Sequence, residues 1–568
     1  MTTAATVSTM AAGSAAADGG ANGSIGGRWS SPLGRALLGA VLMWLAFPPA
    51  QLWPLAWVAP CCWISLITDA RLCGRRPYRM LYVVGLFHWL LMLQWIRLPH
   101  WTAHLGWLAL SLYLAVYLPA FVVLSRVLVH RWCVPVWCAA PVVWTGLEWG
   151  RGHLLTGFSL SLLGHTQVPW LTIIQIADLG GAYAVSFLLM LVSAALVHAC
   201  IETRAGRRWW PLVMAAGVGL LAWGYGAWRM QDPPASIAED GSRLRVGLVQ
   251  CSIDTTFRED VDESGMAFQH CLRLSRSLLQ QHPQVELVIW PESMFTEHWP
   301  WLTHVSAPAP PADVEVSPDV FRENVATVAA ENRRKSQFVA QQLHTRFLVG
   351  TGATHVGQGT VEQFNAALLF DRSGELQQRY DKMHPVMFGE YLPFGHWFPW
   401  LYRLTPIPSG LTPGKGAVGM PIGDWQLCAS ICFENTVPHL IRRQLLELER
   451  AGRPVDMLVT VTNDGWFWGS SLLDLHLACG IFRAVEHRLP LAIAANTGFS
   501  AVVDGNGRRL VQGPRRAEAT LVADVQRDGR WSLYRAMGEW PAGLCLLIGL
   551  AGVCHRATQA ARRCILGQ

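Results

Sequence analysis

Charge is what this sequence is short of. Only 15% of its 568 residues are Asp, Glu, Lys or Arg, and the mean hydropathy is +0.25, which excludes an ordinary soluble protein of this length. The 14 cysteines include no C-x-x-C pair, so neither a metal nor a redox cofactor is expected. A basic patch interleaved with aromatics is missing too, and the net charge of +6 is therefore not read as nucleic-acid binding. Residues 1–30 hold little that could build a core and are expected to be disordered. That start has no basic n-region, and Arg28 and Arg35 flank a long apolar stretch, so a retained span is favoured over a cleaved signal peptide.

Apolar runs are what the chain has in excess. A bilayer span takes about 20 mainly apolar residues, and the candidates are 33–49, 53–68, 80–96, 105–129, 132–147, 171–200, 209–228 and 537–554. The expected organisation is a transmembrane domain at 31–230 with about seven helices, a soluble domain at 240–530, a C-terminal span at 536–556 and a tail at 557–568. Arginines set the orientation. Arg71, Arg75, Arg76 and Arg79, then Arg126 and Arg131, then Arg204, Arg207 and Arg208 lie in alternate loops, which places those loops, both chain ends and the tail in the cytoplasm. The soluble domain and a loop from about Glu148 to Trp170 fall outside. The 28 tryptophans read as interfacial anchors.

Between the last two spans, short runs of Val, Ile and Leu alternate with helical stretches. Strands are expected at 244–250, 286–290, 347–351, 366–370, 426–432, 457–462, 491–495, 501–504 and 521–525, and helices at about 264–281, 319–344, 438–451 and 472–488. That alternation predicts a layered α/β domain. Its five cysteines, Cys251, Cys271, Cys428, Cys432 and Cys479, are an odd number, so an oxidising compartment leaves at least one unpaired within the chain.

Polar groups cluster where apolar strands stop. Val288-Ile289-Trp290-Pro291-Glu292 delivers a carboxylate, Ala429-Ser430-Ile431-Cys432 a thiol, and Val461-Thr462-Asn463-Asp464 further polar groups. Ligands collect beyond the carboxyl ends of strands in α/β sheets, so these ends are candidates for one site. Singly, each also fits a bland role as core thiol, strand terminus or, for Lys382, loop lysine.

Together, the order Glu292, Lys382, Cys432, with Trp290-Pro291-Glu292, Tyr380-Asp381-Lys382, Gly389-Glu390-Tyr391-Leu392-Pro393-Phe394 and Ile431-Cys432-Phe433-Glu434, resembles the nitrilase superfamily. With spans on both sides, and with Glu148-Trp149-Gly150-Arg151 and Leu155-Thr156-Gly157-Phe158 as a segment between membrane helices, the chain is similar to that superfamily's membrane-embedded branch, the apolipoprotein N-acyltransferase family. The resemblance implies an α-β-β-α sandwich on the periplasmic side of a bacterial inner membrane. It implies Glu292 as base, Lys382 as oxyanion stabiliser, Cys432 as nucleophile, Glu390 as their support, and Phe433 and Glu434 lining the acyl or amine side. The implied partners are a phospholipid acyl donor, a diacylglyceryl-modified apolipoprotein acceptor and the bilayer.

Some features stay open. Phe433 stands where the family often has Tyr. The stretch around Ala307-Pro308-Ala309-Pro310-Pro311 reads as a surface insertion or a lid, and Phe257 is a candidate aromatic after Val249-Gln250. His476 and Asn496 read as structural, while His384 and His439 keep a Cys-His mechanism possible. A membrane-anchored amidase acting on a small amide, and a non-catalytic lipid-binding module, are the alternatives in function.

Overall fold

A computed structural model of the chain describes residues 31–233, 243–255, 263–405 and 409–565. The expected N-terminal tract and Phe257 lie outside the described residues.

Apolar composition and proline placement shape the N-terminal region. Its helices are α1 (Pro32–Ala46), α2 (Pro60–Thr68), α3 (Pro77–Met92), α4 (Ala103–Leu114), α5 (Tyr117–Arg131), α6 (Val136–His153), α7 (Leu171–Ile174), α8 (Ala177–Ile201) and α9 (Ala205–Gln231). Pro32, Pro60 and Pro77 each sit in a first turn, where the missing N–H costs nothing. Three stretches, Ala103–Arg131, Ala177–Ile201 and Arg207–Gln231, are long and apolar enough to cross a membrane. Glu148 to Arg151 do not form the expected loop. They continue α6, with Glu148, Gly150 and Arg151 buried, Glu148 Oε1 accepting from the Leu163 backbone at 2.7 Å and Arg151 donating to the Ser161 carbonyl at 3.2 Å. Both side chains find partners within the helical region, so the helix runs on.

The second region is a sandwich. One sheet runs β13-β1-β2-β4-β5-β6, with β3 also on β4. These strands are β1 (Arg243–Gln250), β2 (Leu287–Ile289), β3 (Trp301–Ala309), β4 (Arg346–Gln358), β5 (Val361–Phe370), β6 (Leu376–Asp381) and β13 (Ala519–Gln526). The other sheet, β12-β11-β10-β9-β8-β7, contains β7 (Gly419–Ile422), β8 (Trp425–Ile431), β9 (Met457–Thr462), β10 (Leu491–Ala495), β11 (Ala501–Val503) and β12 (Arg509–Gln512). Strand alternation divides the cores. Leu287 and Ile289 of one sheet meet Leu427, Ala429, Ile431, Val459 and Val461 of the other. Val288 and Trp290 face outward onto α10 (Glu263–Gln281) and α11 (Pro318–Leu343). The opposite outer face is covered by α12 (Pro438–Arg450) and α13 (Leu472–His487). A disulfide joins Cys251, just after β1, to Cys271 in α10.

Of the prolines at 308, 310 and 311, the first falls within a strand and the other two just after it. Residues 301–309 form β3, a strand pairing parallel with β4 from Trp301↔Ala353 onward, and proline is tolerated because this strand lies at an edge. The two regions meet through α13, in which every residue but Asp474 is buried. The chain then returns through α14 (Leu533–Met537) to α15 (Trp540–Ile565), which continues through most of the expected tail.

Candidate active site

Topology brings the polar strand ends together. β1, β2 and β4 run parallel, as do β8, β9 and β10, and β4 lies over β9 and β5 over β8. The residues after β2, β6, β8 and β9 therefore converge at one edge of the sandwich.

Glu292 follows β2 by way of Pro291. Gly350 on β4 allows that approach, since a β-carbon there would lie 2.4 Å from the Glu292 Cα. The carboxylate is buried and fully engaged: Oε1 accepts from Asn365 Nδ2 at 2.6 Å and Oε2 from the Asn463 backbone N–H at 2.7 Å. Lys382, leaving β6, is 2% exposed. Its Nζ lies 2.8 Å from Glu390 Oε1 and 3.8 Å from Glu292 Oε1. Glu390 also accepts from Asn365 at 3.0 Å and from the Val386 backbone at 2.7 Å. Asn365 thus couples both carboxylates, a role not anticipated from the sequence. Its signal was a polar residue inside the apolar run 364–370 of β5.

Cys432 leaves β8 with φ of +52°, a left-handed conformation uncommon outside glycine. It turns the thiol out of the strand into a position beside the inter-sheet core. His476 holds the turn from below, its Nε2 2.9 Å from the Cys432 carbonyl and its Nδ1 3.0 Å from Asp464 Oδ1. Asn496 orders the neighbouring turn by donating to Asn463 Oδ1 at 2.9 Å. Neither contacts the thiol through a hydrogen bond, in keeping with the structural reading of both.

Glu434 does not line a substrate side. Its carboxylate is wholly buried and accepts from Tyr380 Oη at 2.9 Å and from the backbone N–H groups of Met383 at 2.7 Å, His384 at 3.0 Å and Ile431 at 2.8 Å. It ties the Cys432 turn to the segment carrying Lys382. Phe433 is half-buried, with its ring 5.9 Å from that of His384. It joins an apolar cluster with Trp89, Trp95, Phe158 and Phe467 that spans the seam to the helical region. His384 stacks there, and His439 stacks 4.3 Å from His153; a Cys-His pair gains no support.

Electrostatics follow from burial. Desolvation pushes the Glu292 carboxyl above its ordinary value, with Lys382 opposing and Glu390 adding to the rise. Burial by itself would lower the Lys382 ammonium, but Glu390 and Glu292 outweigh it and the group is held protonated. Desolvation, then the Glu292 charge, raises the Cys432 thiol well above its usual range, with Lys382 opposing. The resting thiol is neutral and needs a base, and the buried carboxylate beside it suits that purpose.

Two families match in series: "Apolipoprotein N-acyltransferase N-terminal domain" over residues 39–195 and "Carbon-nitrogen hydrolase" over 245–534. The apolipoprotein N-acyltransferase of Rhodopirellula baltica is 31% identical over 93% of this chain and 97% of its own length. The chain belongs to the apolipoprotein N-acyltransferase family. The Geobacter metallireducens apolipoprotein N-acyltransferase is also 31% identical, over 93% of this chain and 95% of its own, and that of Chlorobaculum tepidum is 28% identical over 92% and 96%. As an apolipoprotein N-acyltransferase the chain is an acyltransferase within the carbon-nitrogen hydrolase superfamily, and the two matched segments correspond to its helical region and its sandwich.

Proposed function

We propose that Cys432 carries an acyl chain as a thioester, from a phospholipid to the α-amino group of the N-terminal diacylglyceryl-cysteine of an apolipoprotein. Glu292 takes the thiol proton as sulfur attacks the ester carbonyl, and Lys382 faces the developing oxyanion, a contribution of roughly 3–4 kcal/mol for a typical donor. Collapse expels the lysophospholipid, whose leaving oxygen is protonated by Glu292. The amine then attacks the thioester, Glu292 accepts its proton, and the thiol is restored as the amide leaves. Glu390 keeps Lys382 charged and directed, while Phe433 contributes to the apolar wall.

The observation that carries this reading is the convergence of a buried carboxylate, a buried ammonium and a left-handed cysteine beside an apolar seam with the helical region. A thioester survives only where water is kept away. Phe388, Phe394, Trp397, Phe398 and Trp400, exposed on the segment after Lys382, suit contact with lipid. The helical region would hold the enzyme in the bacterial inner membrane by about eight spans, with the sandwich on the periplasmic side, as the arginine-rich loops imply.

Intact mass after incubation with phospholipid alone tests the first half-reaction. Wild-type protein is expected to gain one hydroxylamine-labile acyl chain and the Cys432→Ser protein none that hydroxylamine releases. No adduct on folded wild-type protein would refute the acyl-enzyme.

A further inference from the structure

Three side chains of metal-ligand type meet where the sandwich rests on the helical region. His153 ends α6, His439 lies in the first turn of α12, and Glu539 immediately precedes α15. One ligand atom from each lies within 4.8 Å of the others. None of the three belongs to the site around Cys432, and they are too scattered along the chain for any spacing motif to announce them.

Two of the three carry a buried atom without a hydrogen bond, and the third is held in place by the backbone. The Trp149 carbonyl holds His153 Nδ1 at 2.9 Å, and His153 Nε2 lies 3.5 Å from Glu539 Oε2. A ring nitrogen tied to a backbone carbonyl is the usual outer-shell support of a metal-binding imidazole. Tyr534 donates to Glu539 Oε1 at 2.7 Å, whereas the buried Oε2 has no hydrogen-bond partner, and neither has the buried His439 Nδ1. Buried polar atoms without a hydrogen bond are costly and uncommon. One cation would satisfy both. The Glu539 side chain is only 6% exposed, while that of His153 is 29% exposed and offers a way in.

We propose that His153, His439 and Glu539 form a Zn²⁺ site that pins α12, the helix following the Cys432 turn, to α6 and α15. Two imidazoles and one carboxylate are a zinc donor set, with a fourth position left for water. Ligand distances of about 2.0–2.2 Å require the three donor atoms, which lie within 4.8 Å of one another, to close in around the ion, with the His153 and His439 rings turning out of their stacked arrangement.

The test uses the full chain in detergent, stripped with chelator and titrated with Co²⁺ as a visible probe and then with Zn²⁺. Wild-type protein is expected to bind one Co²⁺ per chain with the intense d–d bands of four-coordination, and Zn²⁺ to bleach them. His439→Ala and Glu539→Gln should each weaken Co²⁺ binding by at least roughly tenfold, the low end of what even an outer-shell loss costs. His153→Cys, which restores a ligand of another type, should bind with red-shifted bands and a thiolate charge-transfer band. That readout reports on the site even if one of the other variants misfolds. Wild-type protein lacking four-coordinate bands, or bands unchanged in His153→Cys, would overturn the proposal.

Discussion

Glu292 is held between opposed influences, and the balance is testable. Burial raises its carboxyl and Glu390 adds to the rise, while Lys382 and the hydrogen bonds from Asn365 and Asn463 pull it down. A general base works only when deprotonated, so activity should fall as pH drops through the raised value. The acid limb of the kcat/KM profile is therefore expected above the ordinary glutamate value of about 4.3. Asn365→Ala removes one lowering contact, so its acid limb should move to still higher pH, with little change on the alkaline side. An unshifted limb would mean that another group titrates. Glu292→Gln keeps the shape and removes the base; acyl-transfer rate is expected to drop by about 10²–10⁴, measured as single-turnover thioester formation.

At the scale of elements, close approach between neighbouring strands positions the carboxylate. The Gly350 Cα faces the Pro291–Glu292 backbone, and its N–H donates to the Pro291 carbonyl at 3.2 Å. Backbone cannot rotate away as a flexible side chain can. Gly350→Ala is expected to destabilise the domain by about 1–3 kcal/mol, as overpacking does, and to lower activity further than stability alone explains, because Glu292 itself is displaced. Thermal melting and single-turnover rates on the same preparation check both. The Cys432 turn is secured by Glu434 gathering four donors from two segments, whereas Glu292 combines hydrogen bonds with the close backbone approach at Gly350.

For the whole molecule, the decisive contact is between sandwich and helices. Asp178 of α8 accepts from Arg488, just past α13, at 2.6 and 2.9 Å, from Arg229 of α9 at 2.9 Å and from Tyr225 at 2.8 Å. Arg488 also donates to Gln175 at 2.6 Å and Asn506 at 3.0 Å. Arg488 and Asp178 are both buried. Removing one partner of such a pair leaves a charge uncompensated, at a cost of about 3–5 kcal/mol. Asp178→Ala is expected to melt well below wild type in detergent and to expose the seam between the regions to protease. Equal melting temperatures would show that the apolar contacts around α13 suffice.

Local features were legible in the sequence. Apolar runs marked the helical stretches, short runs of Val, Ile and Leu marked many of the strands, and β9 and β10 fall where such runs placed them. The strand-end positions of Glu292 and Cys432 were legible because each terminates an apolar strand, whereas Lys382 leaves β6, a polar strand not expected from the sequence, and its role came only from the resemblance. Edge strands such as β3, β7 and β12 were missed, since short or polar segments carry little periodicity. Tertiary structure alone decided the electrostatics and the partners. Asn365 couples two carboxylates, Glu434 braces rather than lines the site, and Glu148 and Arg151 stay helical. Each outcome depends on groups distant in the chain becoming neighbours, and burial strengthens interactions among charges that water would otherwise screen.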